Sequence, residues 1–132
     1  MTSHAHGTFE VKLAPQDAPD SAEGIALGRL TINKEFQGDL VATSKGQMLS
    51  SGTESSGSAA YVAIERVTGT LEGRSGSFVL MHSGTMNRDG QQLTVTVAPG
   101  SGTGGLAELS GSMRIIIEGK KHSYEFDYSL LD

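Results

Sequence analysis

The chain has no cysteine, only three prolines, no long apolar run and no cluster of positive charge. Without cysteine there is no disulfide or redox framework, and the composition is compatible with a reducing cytoplasm, the expected compartment. The apolar runs are a few residues long, far short of a membrane span. The N-terminal MTSHAHG has no basic segment followed by an apolar one, so no signal peptide is expected. Formal net charge is −5 with no basic block or stripe, which argues against a nucleic-acid partner. Mild acidity mainly favours solubility. No G-x-S-x-G elbow, P-loop or H-E-x-x-H occurs. The abundant serines fall in loops, so covalent catalysis is not expected. No segment keeps a helical period beyond one or two turns.

What is present is glycine, eighteen residues of it without collagen periodicity, as suits many short strands and turns. The 132 residues fit one domain, 1–132, long enough to bury a core without disulfides. The stretch from Tyr61 to Val97 reads as three strands joined by turns at Glu72-Gly73 and Asp89-Gly90. Acidic-Gly pairs favour two-residue hairpin turns because such turns need φ > 0. A two-residue turn fixes register, and register fixes which side chains share a face. With Leu71 opposite Arg74, Val67 faces Phe78, Glu65 faces Leu80 and Ala63 faces His82. With Arg88 opposite Gln91, His82 faces Val97. One face then carries Tyr61, Ala63, Glu65, Val67, Phe78, Leu80, His82, Leu93, Val95 and Val97. This is an apolar wall holding one carboxylate and one imidazole, diagonal neighbours with Cα atoms about 7–8 Å apart.

Period-two alternation marks further strands at Thr8–Leu13, Ile25–Phe36 and Leu40–Leu49, with a turn at Gln37-Gly38 or Gly38-Asp39. PQDAPDSAE (15–23) and the low-complexity SSGTESSGS (50–58) read as loops, the second a mobile one. Pro99–Gly105 is a Gly-rich connection. Leu109–Glu118 and His122–Leu130 form a last hairpin around Gly119-Lys120. Pairing Glu118 with Lys121 puts Met113, Ile115, Ile117, His122, Tyr124, Phe126 and Tyr128 on one face. Arg114, Glu118, Lys121, Ser123, Glu125 and Asp127 take the other, with Arg114 against Glu125. Turn chemistry and face polarity agree on that register. About eight short antiparallel strands with hairpin links suggest an all-β closed barrel or a sandwich, with little or no helix, and the barrel is favoured because it leaves no exposed edges and can enclose a small ligand.

The order Glu65-Arg66-Val67-x-Gly69, Gly73-Arg74-Ser75-Gly76-Ser77-Phe78-Val79, His82, Pro99-Gly100-Ser101-Gly102-Thr103-Gly104 and Tyr124-x-x-x-Tyr128 resembles the bacterial domain of unknown function 3224 family. Gly7-Thr8-Phe9-Glu10-Val11 and Lys34-x-Phe36-x-Gly38-Asp39 are similar to it too, so the resemblance covers nearly the whole chain. It implies an allene oxide cyclase-like barrel of eight antiparallel strands around a cavity. Gly102-Thr103-Gly104, Leu106, Gly111 and the aromatic last strand are similar to the tail of allene oxide cyclases and plant dirigent proteins. Some bacterial spirotetronate cyclases have barrels of the same type. Such proteins steer reactive intermediates in an apolar cavity with no metal or organic cofactor, and relatives of this fold often associate, so a homo-oligomer is expected. Their acid and base residues do not map onto this chain position by position. The fold carries over and the activity does not.

Glu65 and His82 are the sharpest candidates. They read either as an acid–base pair in an apolar pocket, as a buried polar pair that satisfies itself, or, if the face points outward, as a surface feature. Burial raises the pKa of a lone Glu, whereas a nearby imidazolium lowers it. Tyr61, Phe78, Leu80, Val95, Tyr124, Phe126 and Tyr128 are candidates to line a ligand cavity, against core packing as the ordinary role. Arg74 is a candidate rim cation for an anionic ligand, or pairs with Glu72 or Glu54. Arg66 reads as a solvated charge and His122 as a solvent-exposed turn neighbour. His4-x-His6 with Glu10 has the spacing of half a cupin metal motif, but it lies at a frayed terminus with no second half, so no metal is expected. Gly100–Gly105 matches G-x-G-x-x-G without the strand–helix context a dinucleotide site needs. Those glycines are expected to let the backbone cross the barrel end.

Three readings of function follow. The barrel binds a small apolar or amphipathic molecule. Alternatively, it is a cofactor-independent isomerase or cyclase in which Glu65 and His82 shuttle a proton and the pocket orients the substrate. In the third reading its core is filled by Phe78, Leu80, Tyr124 and Phe126, and it serves as a structural or subunit-interaction module.

Overall fold

Alternation of apolar and polar side chains governs nearly every segment, and the backbone follows it. The computed structural model describes residues 2–53, 55 and 57–130. Its strands are β1 (Ser3–Pro15), β2 (Asp20–Ala22), β3 (Ile25–Gly38), β4 (Leu40–Thr53), β5 (Ala59–Leu71), β6 (Arg74–Asn87), β7 (Gly90–Val97), β8 (Ser110–Glu118) and β9 (Lys121–Ser129). Among the described residues a single 3-10 turn, Gly104–Leu106, interrupts them. The spatial order is β1-β9-β8-β7-β6-β5-β4-β3, and β1 pairs with β3 to close the sheet into an eight-stranded antiparallel barrel. The three-residue β2 is an added edge on β3. Among the described residues no helix is long and apolar enough to cross a membrane.

The face expected to be apolar is the inner one: Ala63, Glu65, Val67, Phe78, Leu80, His82, Val95 and Val97 are all buried. Two hairpins have the predicted register. Leu71 pairs with Arg74 across a turn in which Glu72 (φ 46°) and Gly73 (φ 88°) are both left-handed, as a type I′ hairpin requires. Glu118 pairs with Lys121, and Arg114 meets Glu125 as an ion pair.

Other details differ from the sequence reading. In β6–β7, Asn87 pairs with Gly90, so His82 faces Val95 rather than Val97. The turn is Arg88-Asp89, because the Asn87 side chain accepts a hydrogen bond from the Asp89 N–H at 2.8 Å, an Asx turn that displaces the Asp-Gly alternative. The slip is of two residues, so every side chain keeps its face. Ser50–Thr53 are strand rather than mobile loop, since β4 is laddered there to both β3 and β5. Glu54 and Ser56, also in that segment, lie outside the described residues. The N-terminus is not frayed at His4, because β1 starts at Ser3 and pairs with β9.

The wall is uneven. β3 to β6 are laddered along their length, whereas among the described residues β7 meets β8 at one register pair, Thr96 with Ser112. The interior is uneven too. At the end carrying the β3–β4 and β5–β6 turns it is solid, with Phe78 stacked on Phe126 (centroids 5.9 Å apart) and Phe126 on Tyr128 (5.4 Å). Leu106 and Leu109, both buried, close that end from the 98–109 connection. The connection is tied to β6 by Ser77 N–H donating to Thr103 Oγ1 and Val79 N–H donating to Ser101 Oγ. Its glycines lead into the 3-10 turn and then β8 rather than into an α-helix.

Tyr124 locks the closed end. Its hydroxyl accepts the Leu40 N–H at 2.9 Å and donates to the Gln37 carbonyl at 2.9 Å, spanning the β3–β4 turn. Tyr124→Phe keeps the ring and leaves both backbone groups short of a partner. The expected loss is about 1–3 kcal/mol of unfolding free energy, read as a lowered urea midpoint at unchanged m-value. An unchanged midpoint would show that the turn does not depend on the hydroxyl.

Candidate functional site

Four adjacent strands each put one polar residue on the inner face at the same height. Lys34 comes from β3, Ser44 from β4, Glu65 from β5 and His82 from β6, and all four are buried. Lys34 and Ser44 are register partners. Glu65 lies diagonal to Ser44 across β4–β5, and His82 diagonal to Glu65 across β5–β6. Gly46, opposite Glu65, makes room for it: a Cβ there would fall 2.6 Å from the Glu65 Cα. Gly84 does the same for Tyr61, whose ring would be 2.6 Å from a Cβ at that position.

The carboxylate of Glu65, fully buried, is the hub. Its Oε1 accepts from Lys34 Nζ at 2.9 Å and His82 Nε2 at 2.6 Å, and its Oε2 accepts from Ser44 Oγ at 2.6 Å. A nitrogen that close to an ionised carboxylate carries its proton, which leaves His82 Nδ1 facing the Tyr61 hydroxyl at 3.4 Å. Lys34 Nζ also lies over the rings of Phe9 (5.0 Å) and Phe36 (5.7 Å), a cation–π arrangement. Among the described residues no buried side-chain nitrogen or oxygen lacks a partner.

Electrostatics follow from this geometry. Burial opposes ionisation of Glu65 more than any other single influence. The His82 hydrogen bond, the Lys34 charge and the Ser44 hydrogen bond together outweigh it and lower the pKa from 4.5 to about 2. Glu65 is therefore an anion throughout the neutral range and does not store a proton there. The opposing effects both foreseen for this residue thus resolve in favour of the partners. The Tyr61 hydroxyl is raised, first by burial and then by the negative charge of Glu65.

Above this cluster the barrel opens into a cavity of about 650 Å³, mostly apolar in its lining. Lys34, His82 and Tyr61 form its polar floor, and Glu65 is not part of its surface. Phe9, Leu30, Met48, Leu93, Ile115, Ile117 and His122 contribute to the walls. Of the residues put forward from sequence, Tyr61 and His82 reach the cavity. Phe78, Leu80, Val95, Tyr124, Phe126 and Tyr128 are buried outside its lining, in the packed part of the barrel. Arg74 is exposed at the closed end, beside Tyr128. There Glu72 accepts the Tyr128 hydroxyl at 2.6 Å. Burial and Glu72 raise that hydroxyl to about 12, against a smaller opposite pull from Arg74. The suggested partner Glu54 lies outside the described residues.

His122 is half-buried in the cavity wall against Phe9 (5.3 Å between centroids) rather than solvent-exposed, because it opens β9 on the inner face. Arg66 is on the exposed outer face. So are His4, His6 and Glu10, with His4 Nδ1 2.6 Å from Asp127 Oδ1. No group of three or more His, Cys, Asp or Glu among the described residues is arranged to hold a metal. Sequence reasoning missed Lys34 and Ser44. The signal for Lys34 was its place two residues from both Ile32 and Phe36, on the inward side of β3.

The depressed Glu65 pKa sets the acid dependence of stability. A group whose pKa is lower when folded stabilises the fold above its unfolded value, here 4.5, and loses that contribution as pH falls towards about 2. The shift corresponds to about 3 kcal/mol. Urea titrations from pH 6 to 2 should show this loss. Glu65→Gln should flatten it while lowering stability at pH 7 by about 3–5 kcal/mol, because Lys34 is left as an unpaired buried charge. A variant with unaltered stability and acid slope would remove Glu65 as the hub.

A family model described as "Protein of unknown function (DUF3224)" matches residues 5–128. A crystal structure of a protein with unknown function from the DUF3224 family of Shewanella oneidensis MR-1 is 45% identical, with a TM-score of 0.93 and 100% of each chain covered. No curated protein matches the chain.

Proposed function

The chain belongs to the DUF3224 family, and we propose that its barrel is a receptor for a small apolar or amphipathic molecule held in the open half. The observation that carries this reading is the cavity of about 650 Å³ with an apolar wall and a few convergent polar groups at its floor. That size and composition are typical of small-molecule sites. A purely structural module has no use for a hollow half-barrel, since filling it with larger side chains would add burial.

A second reading, isomerisation or cyclisation of the bound molecule without a cofactor, is favoured by one feature. The His82 imidazole faces the cavity while a carboxylate holds its far nitrogen. In that reading His82 moves the proton and Glu65, fixed as an anion, orients it. An orienting pocket supplies much of the acceleration such a reaction needs. His82→Gln should then retain binding of the molecule held in the cavity and stop its conversion. Equal conversion by the variant removes His82 from the chemistry.

Native mass spectrometry of protein from its own host should show a bound molecule that leaves on denaturation. An environment-sensitive naphthalene dye should also bind saturably. Met48 faces the cavity from β4, so Met48→Trp should weaken the dye by about tenfold or more, equivalent to about 1.4 kcal/mol. The chain has no tryptophan of its own, so the new indole also reports energy transfer to any dye that remains. Dye affinity indifferent to this substitution would place binding outside the cavity.

A further inference from the structure

The polar floor is not symmetric in its chemistry. The acceptor-only group beneath it, Glu65, is turned away from the cavity and engaged at both oxygens, with Oε1 taken by Lys34 and His82 and Oε2 by Ser44. Of the groups at this floor, those that face the cavity are the Lys34 ammonium, the His82 imidazole and the Tyr61 hydroxyl, while the Asp17–Arg29 ion pair, Gln91 and Gln92 line it nearer the open end and His122 lines its wall. Lys34 has three N–H donors, of which Glu65 takes one. The ammonium also lies 5.0 Å from the Phe9 ring centre and 5.7 Å from that of Phe36, faces that carry negative charge density but accept no strong hydrogen bond. A ligand entering from the open end thus passes a polar rim and then apolar walls, and meets a donor-bearing floor last.

Resting on the cavity-binding reading above, we propose that the ligand is an anionic amphiphile, a carboxylate on an apolar body. It is bound head-first, with its head on Lys34, His82 and Tyr61, and His82 takes up one proton on binding. The proton is needed for charge balance. Glu65 already neutralises Lys34, so an added anion would be an uncompensated buried charge. With imidazolium, two anions face two cations. His82 then donates through Nε2 to Glu65, as it does now, and through Nδ1 to the ligand head, displacing the long 3.4 Å contact with Tyr61. The charged or titratable groups around His82 are Glu65 and Tyr61 from β5 and, through the shared Glu65 oxygen, Lys34 from β3. Val95 of β7, its register partner, adds no charge. No bond is made or broken, and the proton comes from the buffer.

Decanoate and decan-1-ol share a chain and differ in the head, so they test the inference by calorimetry on the intact protein. Decanoate should bind at least about tenfold more tightly. Its heat at pH 8 should vary between two buffers of different ionisation enthalpy in the sense of proton uptake. Lys34→Gln should erase the preference, and His82→Gln should erase the buffer dependence. Tyr61→Phe, which leaves the Lys34–Glu65 pair intact, should weaken decanoate more than decanol. Circular dichroism checks that each variant folds. If decanol binds as well as decanoate, or no proton is taken up, the head-group inference falls and the cavity reading stands. If Met48→Trp abolishes dye binding but spares decanoate, decanoate sits elsewhere and the inference falls as well. If neither decyl compound nor the dye binds, both readings fail together.

Discussion

A carboxylate with no exposure to water sits at the centre of this barrel, and four neighbouring strands are joined through it. Burying Glu65 alone would cost several kcal/mol and force it to protonate. An ammonium, an imidazole and a hydroxyl, one from each of β3, β6 and β4, keep it ionised instead. The arrangement demands that all four strands hold register at once, because a one-residue slip in any of them would turn its polar group to the outer face. The cluster therefore specifies the alignment of half the wall more than it adds to stability, since an ion pair out of water gains little over apolar packing of equal volume.

That cluster also divides the interior. On one side the aromatic stack of Phe78, Phe126 and Tyr128, the Tyr124 hydroxyl clasp and the Leu106–Leu109 cover leave little free space. On the other, inward positions fall to glycine, serine, methionine and aliphatic residues, with the rings of Phe9, Tyr61 and His122 among them, around open space. The polar layer is the floor of the second region and the ceiling of the first. Function is thus read from an interruption in the core, a place where otherwise regular packing stops.

Much of this was legible in the sequence because a strand has an exact side-chain period. Tight turns at Glu72-Gly73 and Gly119-Lys120 fixed two ladders, and these carried Glu65 and His82 to one face and Tyr124, Phe126 and Tyr128 to another. Diagonal proximity of Glu65 and His82 followed from register alone, and the structure has them 2.6 Å apart. Which inward residues bound a cavity and which fill a core was not legible. That depends on how far each layer lies from the barrel ends, and alternation carries no information along the axis. Hence Phe78 and Leu80 shared a face with Tyr61 without sharing its surroundings. Lys34 and Ser44 escaped notice because a lone polar residue within an apolar period looks like noise until its partner on the next strand is in view. The β6–β7 register was misplaced because an Asx turn from Asn87 competes with the Asp-Gly signal, and sequence alone does not rank the two.

The thin join between β7 and β8 has a mechanical consequence. Beyond Thr96 and Ser112 the two strands run towards the open end without a ladder between them, and Leu93, Ile115 and Ile117 on either side of that gap belong to the cavity wall. Prising this slit apart would break few backbone hydrogen bonds and leave the clasped base of the cylinder undisturbed. The barrel is therefore weakest along this one line, like a reed with a split in its upper half, while the stem below stays whole.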